Sequence, residues 1–275
     1  MTALSDLYRK VTSVPEHGLM LRSVAPLYSC FGVNNFYYVR VTSSGHYSGL
    51  SSHDSWHEYF CANIATIGKS PFLKHPDLVK PGINLLKNTD DPLLKKTLHT
   101  AWHEYGINFT LNIMKKIPEG IEAFGWGTDF NDPRAEERQL NDLPLLNQFI
   151  HYFYEHNQKL IRLAHEYQVD VSSFLDTELH DTYKVAVKNK KKLLEHLGFS
   201  AVLSLTSREL ETLNYLAHGF SAKYIAQQLR LSPRTVEDHV GTIKAKLNCQ
   251  TRLELIRRTQ EIASILFVID DVITS

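Results

Sequence analysis

Hydrophobic and polar positions change period several times along the chain, and each change marks a predicted element. Residues 19–30 are apolar without a clear period. Phe36-Tyr37-Tyr38-Val39-Arg40-Val41 is aromatic and β-branched and predicts a strand, with Ser43-Ser44-Gly45 as turn and His46–Leu50 as the returning strand. Asp54 or Ser55 is placed to cap a helix whose stripe is Trp56, Phe60, Ile64 and Ile67. The three prolines between Ser70 and Pro81 predict a loop, and Asp91-Pro92 opens a helix through Leu94, Leu98, Ala101, Trp102 and Tyr105. Ile107–Ile117 and Gly120–Thr128 read as strands joined at Pro118-Glu119-Gly120. From Leu143-Pro144 a long helical stripe runs through Leu146, Phe149, Ile150, Phe153, Leu160, Ile161 and Ala164. Four or five strands with helices on one face predict an α+β domain built on an antiparallel sheet.

Beyond it the punctuation sharpens. Residues 181–204 read as a linker, with Lys184, Lys188, Lys190, Lys191 and Lys192 among leucines before Gly198. Thr206-Ser207-Arg208-Glu209 has the form of a capping box, and Leu210, Leu213 and Ala217 follow before Gly219. Ser221 heads a short helix through Ile225, Ala226 and Leu229. Ser232, with Pro233 at the first helical position, heads another with the stripe Val236, Val240, Ile243 and Leu247. Thr251-Arg252-Leu253-Glu254 is a second capping box. Two short helices separated by Arg230-Leu231 have helix-turn-helix spacing, so residues 205–262 form a second, all-α, four-helix domain. At 100° per residue, Arg234, Asp238, Gly241 and Ala245 lie opposite the apolar stripe, flanked by Glu237 and Lys244. The apolar tail, 263–275, either pairs two subunits or folds back on the first domain, 1–180.

Charge adds one clue. The chain of 275 residues is neutral overall, but residues 205–258 carry nine Lys/Arg against five Asp/Glu. That excess is the weak footprint of a polyanion partner. Cys30, Cys61 and Cys249 are too few for a disulfide framework, and no apolar run approaches a membrane span, so the expected compartment is the cytoplasm. His53/His57 and His99/His103 are spaced four apart, yet neither acidic nor thiolate partners accompany them at regular spacing. The expectation is no metal and no cofactor. GxSxG, a P-loop and GxGxxG are missing, so catalytic residues are not expected.

The run LTSRELETLNYLAHGFSAKYIAQQLRLSPRTVEDHVGTIKAKLNCQTRLELI resembles the four-helix DNA-binding domain of LuxR-type transcription factors. Leu205-Thr206, Arg208-Glu209, Gly219, Ile225-Ala226, Leu229, Ser232, Thr235-Val236, His239, Lys246-Leu247 and Arg252 fall in register with it. The resemblance implies a recognition helix, Ser232–Leu247, in the major groove of double-stranded DNA. Base contacts would come from Glu237, Asp238 and Gly241, and phosphate contacts from Ser221, Lys223, Thr235, Lys244 and Lys246, with Arg234 beside them. Acidic residues at two base-reading positions depart from the family pattern. They suit a cytosine amino group, or Asp238 simply pairs with Arg234 while Glu237 faces solvent.

The first domain is similar, with departures, to the autoinducer-binding domain of quorum-sensing regulators. Trp56 fits that family's pocket tryptophan, its tyrosine falls on Phe60 beside Tyr59, and Ser70-Pro71 stands where the family has Asp-Pro. Serine does not supply the charge-assisted hydrogen bond that the aspartate gives. Tyr37, Trp56, Tyr59, Phe60, Ser70, Trp102 and Trp126 are therefore candidate ligand contacts, each alternatively plain core. The resemblance implies a dimeric transcriptional regulator controlled by a small molecule. The alternative is a ligand-independent regulator whose first domain dimerises or binds a protein.

Overall fold

A computed structural model describes residues 3–67, 75–79, 81–88, 92–175, 190–217 and 219–273. The chain divides into two compact units, residues 1–178 and 179–275.

Unit one opens with helices α1 (Ala3–Thr12) and α2 (Pro15–Phe31). The apolar stretch at 19–30 is thus helical, and its blurred period follows from Pro26 within it and from buried Ser23 among its apolar residues. Strands β1 (Val33–Thr42) and β2 (His46–Ser51) come next, followed by α3 (Asp54–Ile67), β3 (Gly82–Leu85) and α4 (Pro92–Tyr105). Then come β4 (Ile107–Ile117), β5 (Gly120–Asp129), α5 (Ala135–Asn141), α6 (Leu143–His156), α7 (Gln158–Glu166) and β6 (Val169–Asp170). The strands form one sheet in the order β3-β4-β5-β1-β2-β6, each neighbouring pair antiparallel. The fold class is α+β, as the sequence predicts. Gly45, between β1 and β2, has φ +83°, and an added Cβ would lie 2.6 Å from that of Ser172, so the turn requires glycine.

Strand alternation sorts the rings of β1 onto two faces. On one, Phe36 lies against Phe149 and Phe153 of α6, with ring centroids 5.2 and 4.8 Å apart. There the Tyr38 hydroxyl donates to Glu122 Oε1 at 2.6 Å and lies 2.9 Å from His165 Nε2, while the Tyr154 hydroxyl donates to the other Glu122 oxygen. Burial, then the Arg40 guanidinium, pulls His165 down to about 4. The buried stripe predicted for 146–164 is observed, but Asn157 divides it into α6 and α7. The Asn157 side chain donates to Ser23 Oγ and to the Phe153 carbonyl. On the other face, Tyr37, Val39 and Tyr47 meet α3 and α4.

Unit two contains α8 (Ser200–Leu203), α9 (Ser207–Ala217), α10 (Ala222–Leu229), α11 (Pro233–Lys246), α12 (Arg252–Ile262) and α13 (Leu266–Ile273). Its own core includes Leu205, Leu213, Ile225, Val236, Ile243, Leu255 and Ile269. A 3-10 turn at Ala263–Ile265 breaks the tail from α12, and α13 packs on α8 and α9 of the same unit, burying Leu266, Ile269 and Val272.

Candidate nucleic-acid interface and ligand cavity

Local chemistry builds the first site. Thr206 Oγ1 accepts from the Glu209 amide while the Thr206 amide donates to Glu209 Oε2 at 2.7 Å, so both arms of the predicted capping box are present at α9. Ser221 Oγ accepts from the Tyr224 amide to start α10. The helix ends at Arg230 in the left-handed region, φ 55°, and the Leu231 amide turns back onto the Ala226 carbonyl. Ser232 Oγ accepts from the Thr235 amide at 3.0 Å to start α11, with Pro233 at the position that needs no amide partner. The second capping box, Thr251 with Glu254, opens α12.

These caps fix the phase of α11. Val236 and Ile243 are fully buried, leaving Arg234, Glu237, Asp238, Gly241 and Ala245 together on an exposed face. A Cβ added at Gly241 would meet nothing within 4 Å, so the unit itself sets no demand for glycine there. Arg234 Nε and Asp238 Oδ1 are 4.0 Å apart with both side chains mostly exposed, a weak pair that leaves both groups available to a partner. Ser221 and Lys223 are exposed at the start of α10, and Lys244 and Thr235 are half-buried along α11. Lys246 has a different place. Its ammonium donates to Glu209 Oε2 at 2.7 Å and to the Ser204 carbonyl at 3.0 Å, tying the end of α11 to the start of α9. Burial pushes the Glu209 carboxyl up, but the bonds from Lys246 and the Thr206 amide outweigh it and hold the carboxyl below its ordinary value.

The second site is a cavity in unit one, about 560 Å³ including the part open to solvent. Its floor is the sheet face carrying Tyr37, Val39 and Tyr47; its walls include Trp56, His57 and Phe60 of α3, Leu94, Thr97 and Leu98 of α4, and Phe109 of β4. Strand β5 makes room for it, because register puts Ala123, Gly125 and Gly127 on that face. The Tyr37 ring leans over Gly125, where a Cβ would lie 2.0 Å from its Cζ, and its hydroxyl is 3.5 Å from Asn112 Nδ2. Burial raises the pKa of Tyr37 and Tyr47, while burial and then repulsion from His17 bring His57 down to about 4.

Three of the candidate ligand residues, Tyr37, Trp56 and Phe60, line the cavity together. Three others stand outside its lining. Tyr59 packs on Trp56 and Tyr105 without reaching the cavity lining. Trp102 is 41% exposed, with its ring 6.4 Å from that of Phe130. Trp126 pairs with Phe36, not Tyr37, and so is sealed on the opposite face of the sheet. Ser70 lies outside the described residues. Sequence reasoning missed Tyr47, His57, Thr97 and Phe109; alternation along β2 and β4 marks Tyr47 and Phe109 as inward candidates, but not toward which face, and His57 and Thr97 are polar positions beside the apolar stripes of α3 and α4. Among the described residues, no group of three His, Cys, Asp or Glu is placed to hold a metal, and no helix is long and apolar enough to cross a membrane.

Two short helices, a left-handed turn and an exposed face on the second of them define a helix-turn-helix domain. Residues 203–259 match Bacterial regulatory proteins, luxR family. Transcriptional regulatory protein DesR of Bacillus subtilis (strain 168) is 39% identical over 70 residues, 26% of this chain and 35% of its own. Nitrate/nitrite response regulator protein NarP of Escherichia coli (strain K12) is 45% identical over 49 residues, 18% of this chain and 23% of its own. The similarity thus spans about a third or less of these relatives. A solved structure of Escherichia coli SdiA overlaps 92% of this chain and 94% of that one, at 14% identity and a TM-score of 0.34.

Proposed function

We propose that the protein is a cytoplasmic, dimeric, sequence-specific transcriptional regulator whose DNA affinity is set by a small molecule held in unit one. The observation that carries the DNA-binding part is the exposed face of α11, with Gly241 at its centre and a luxR-family frame around it. Inserted in the major groove, that face presents Glu237, Asp238 and the Gly241 backbone to base edges. Ser221, Lys223, Arg234, Thr235 and Lys244 would meet phosphates on either side. Acidic groups at 237 and 238 accept hydrogen bonds, so C·G pairs are expected opposite them. The cavity of unit one supports the sensing part, since a ligand there changes DNA affinity only by favouring one of two arrangements of the dimer.

Selection from a pool of random duplexes tests the DNA reading. The expected result is a two-fold symmetric site, half-sites about 34–36 Å apart, with C·G pairs at fixed positions in each. A pool left unenriched would overturn the proposal; an enriched site without those pairs would overturn only the role given to Glu237 and Asp238.

A further inference from the structure

Two histidine pairs spaced four apart, His53/His57 and His99/His103, have opposite fates in the fold. On α3, His53 Nδ1 accepts from the Trp56 amide at 3.2 Å, and His57 is buried with its ring edge-on to Tyr8 at 5.3 Å. One ring of that pair is spent on starting the helix and the other on the core. On α4, His99 and His103 are both exposed, and their rings lie together with centroids 4.1 Å apart and planes at 44°. Residues four apart stand one above the other on a helix surface, so the backbone alone holds these imidazoles side by side.

Two nitrogens bound to one tetrahedral zinc, each at about 2.0–2.1 Å, stand roughly 3.4 Å apart. Rings 4.1 Å apart reach that spacing by rotation about their own side-chain bonds. Imidazole suits Zn²⁺, Ni²⁺ and Cu²⁺, whereas Mg²⁺ and Ca²⁺ take oxygen ligands. Position adds to the preference for a cation. His103 stands in the last turn of α4, at the negative end of the helix dipole, and the exposed carboxylate of Glu104 follows it directly.

We propose that His99 and His103 form a two-imidazole site for a divalent transition metal ion on the outer face of α4, with water in the remaining coordination positions. The sequence expectation of no metal looked for acidic or thiolate partners, and a chelate across one helical turn requires neither. Two protein ligands make the site open and its binding weaker than that of a closed site with four. The second imidazole binds intramolecularly once the first has bound, so each ring counts for far more in the pair than alone.

Titration of the untagged, metal-stripped full chain with Ni²⁺ at pH 7.5 tests this by fluorescence and by calorimetry. Trp102, next to His103 and 41% exposed, is the reporter, because a nickel ion held beside it quenches its emission. The expected result is saturable quenching that Mg²⁺ does not reproduce. His99→Gln and His103→Gln, both at exposed positions, are each expected to weaken Ni²⁺ at least tenfold, with the circular dichroism of the chain unchanged. His196→Gln, an exposed histidine of unit two, is expected to leave the affinity as it was. Trp102→Phe is expected to abolish the quenching while calorimetry still detects the ion. Quenching that never saturates, either pair variant binding within threefold of the unsubstituted chain, His196→Gln weakening Ni²⁺ as much as they do, or full quenching in Trp102→Phe would each overturn the proposal.

Discussion

The two units are held in shape by contacts of very different reach. In unit two the decisive bonds join residues three apart: Thr206 with Glu209, Ser221 with Tyr224, Ser232 with Thr235 and Thr251 with Glu254. In unit one, Tyr38 bonds to Glu122 and His165, 84 and 127 residues away, and Asn157 bonds to Ser23, 134 away. A helix start is therefore written beside itself, while the inside of a sheet domain is written across most of its length. The difference also concerns polar groups. Unit two keeps the polar face of α11 in water, whereas unit one buries Asn35, Asn112 and His57 against its sheet.

The largest expected effect falls in unit one. Phe153→Ala removes a fully buried ring that touches Phe36, Tyr38 and Phe124, at a cost of about 3–5 kcal/mol of unfolding free energy in urea. Should the loss stay below about 1 kcal/mol, the long-range core would not be what holds this unit. Acid provides the next contrast. His57 is nearly buried and titrates at about 4 in the folded chain, against about 6.5 when unfolded. The unfolded state then binds the extra proton first, so stability is full above about pH 6.5 and falls as pH drops toward 4, by about 3 kcal/mol in total. His57→Gln is expected to make that part of the profile shallower, with His165 supplying the rest, read as urea midpoints between pH 7.5 and 4.5.

A smaller effect sharpens the account of unit two. Lys246→Met leaves the buried Glu209 carboxylate without its cation and is expected to cost about 2 kcal/mol. In DNA titrations it should leave the salt dependence unchanged, whereas Lys223→Met lowers the slope of log K against log salt by about 1. A slope reduced by Lys246→Met would return that residue to the phosphate contacts. The smallest effect has the opposite sign. Gly241→Ala adds a methyl group in open space and is expected to stabilise unit two by about 0.5–1 kcal/mol while weakening binding to the selected duplex.

Legibility followed the same division. Both capping boxes, the Ser221 and Ser232 caps and the buried stripe of α11 could be read directly, because each signal lies within one turn of what it controls. The bond from Lys246 to Glu209 could not be read from one helix alone; Glu209 is 37 residues earlier and only the packing of α9 on α11 brings them together. The aromatic residues of unit one were harder. Tyr37 and Trp126 both lie on alternating strands, but whether they share a face depends on register, and Trp126 falls opposite Phe36. Trp102 follows buried Ala101 by one position, which on a helix is a turn of 100° and enough to carry it into water. The short edge strands β3 and β6 left no pattern long enough to distinguish from loop.

The placement of the three tryptophans makes unit one a set of three optical channels. Trp56 stands in the cavity wall, Trp102 in solvent, and Trp126 in a sealed core on the far face. Acrylamide reaches the second and not the third, a cavity occupant perturbs the first, and Trp126 supplies an internal standard. A single emission spectrum of the unlabelled protein can therefore report occupancy, solvent access and core integrity at once.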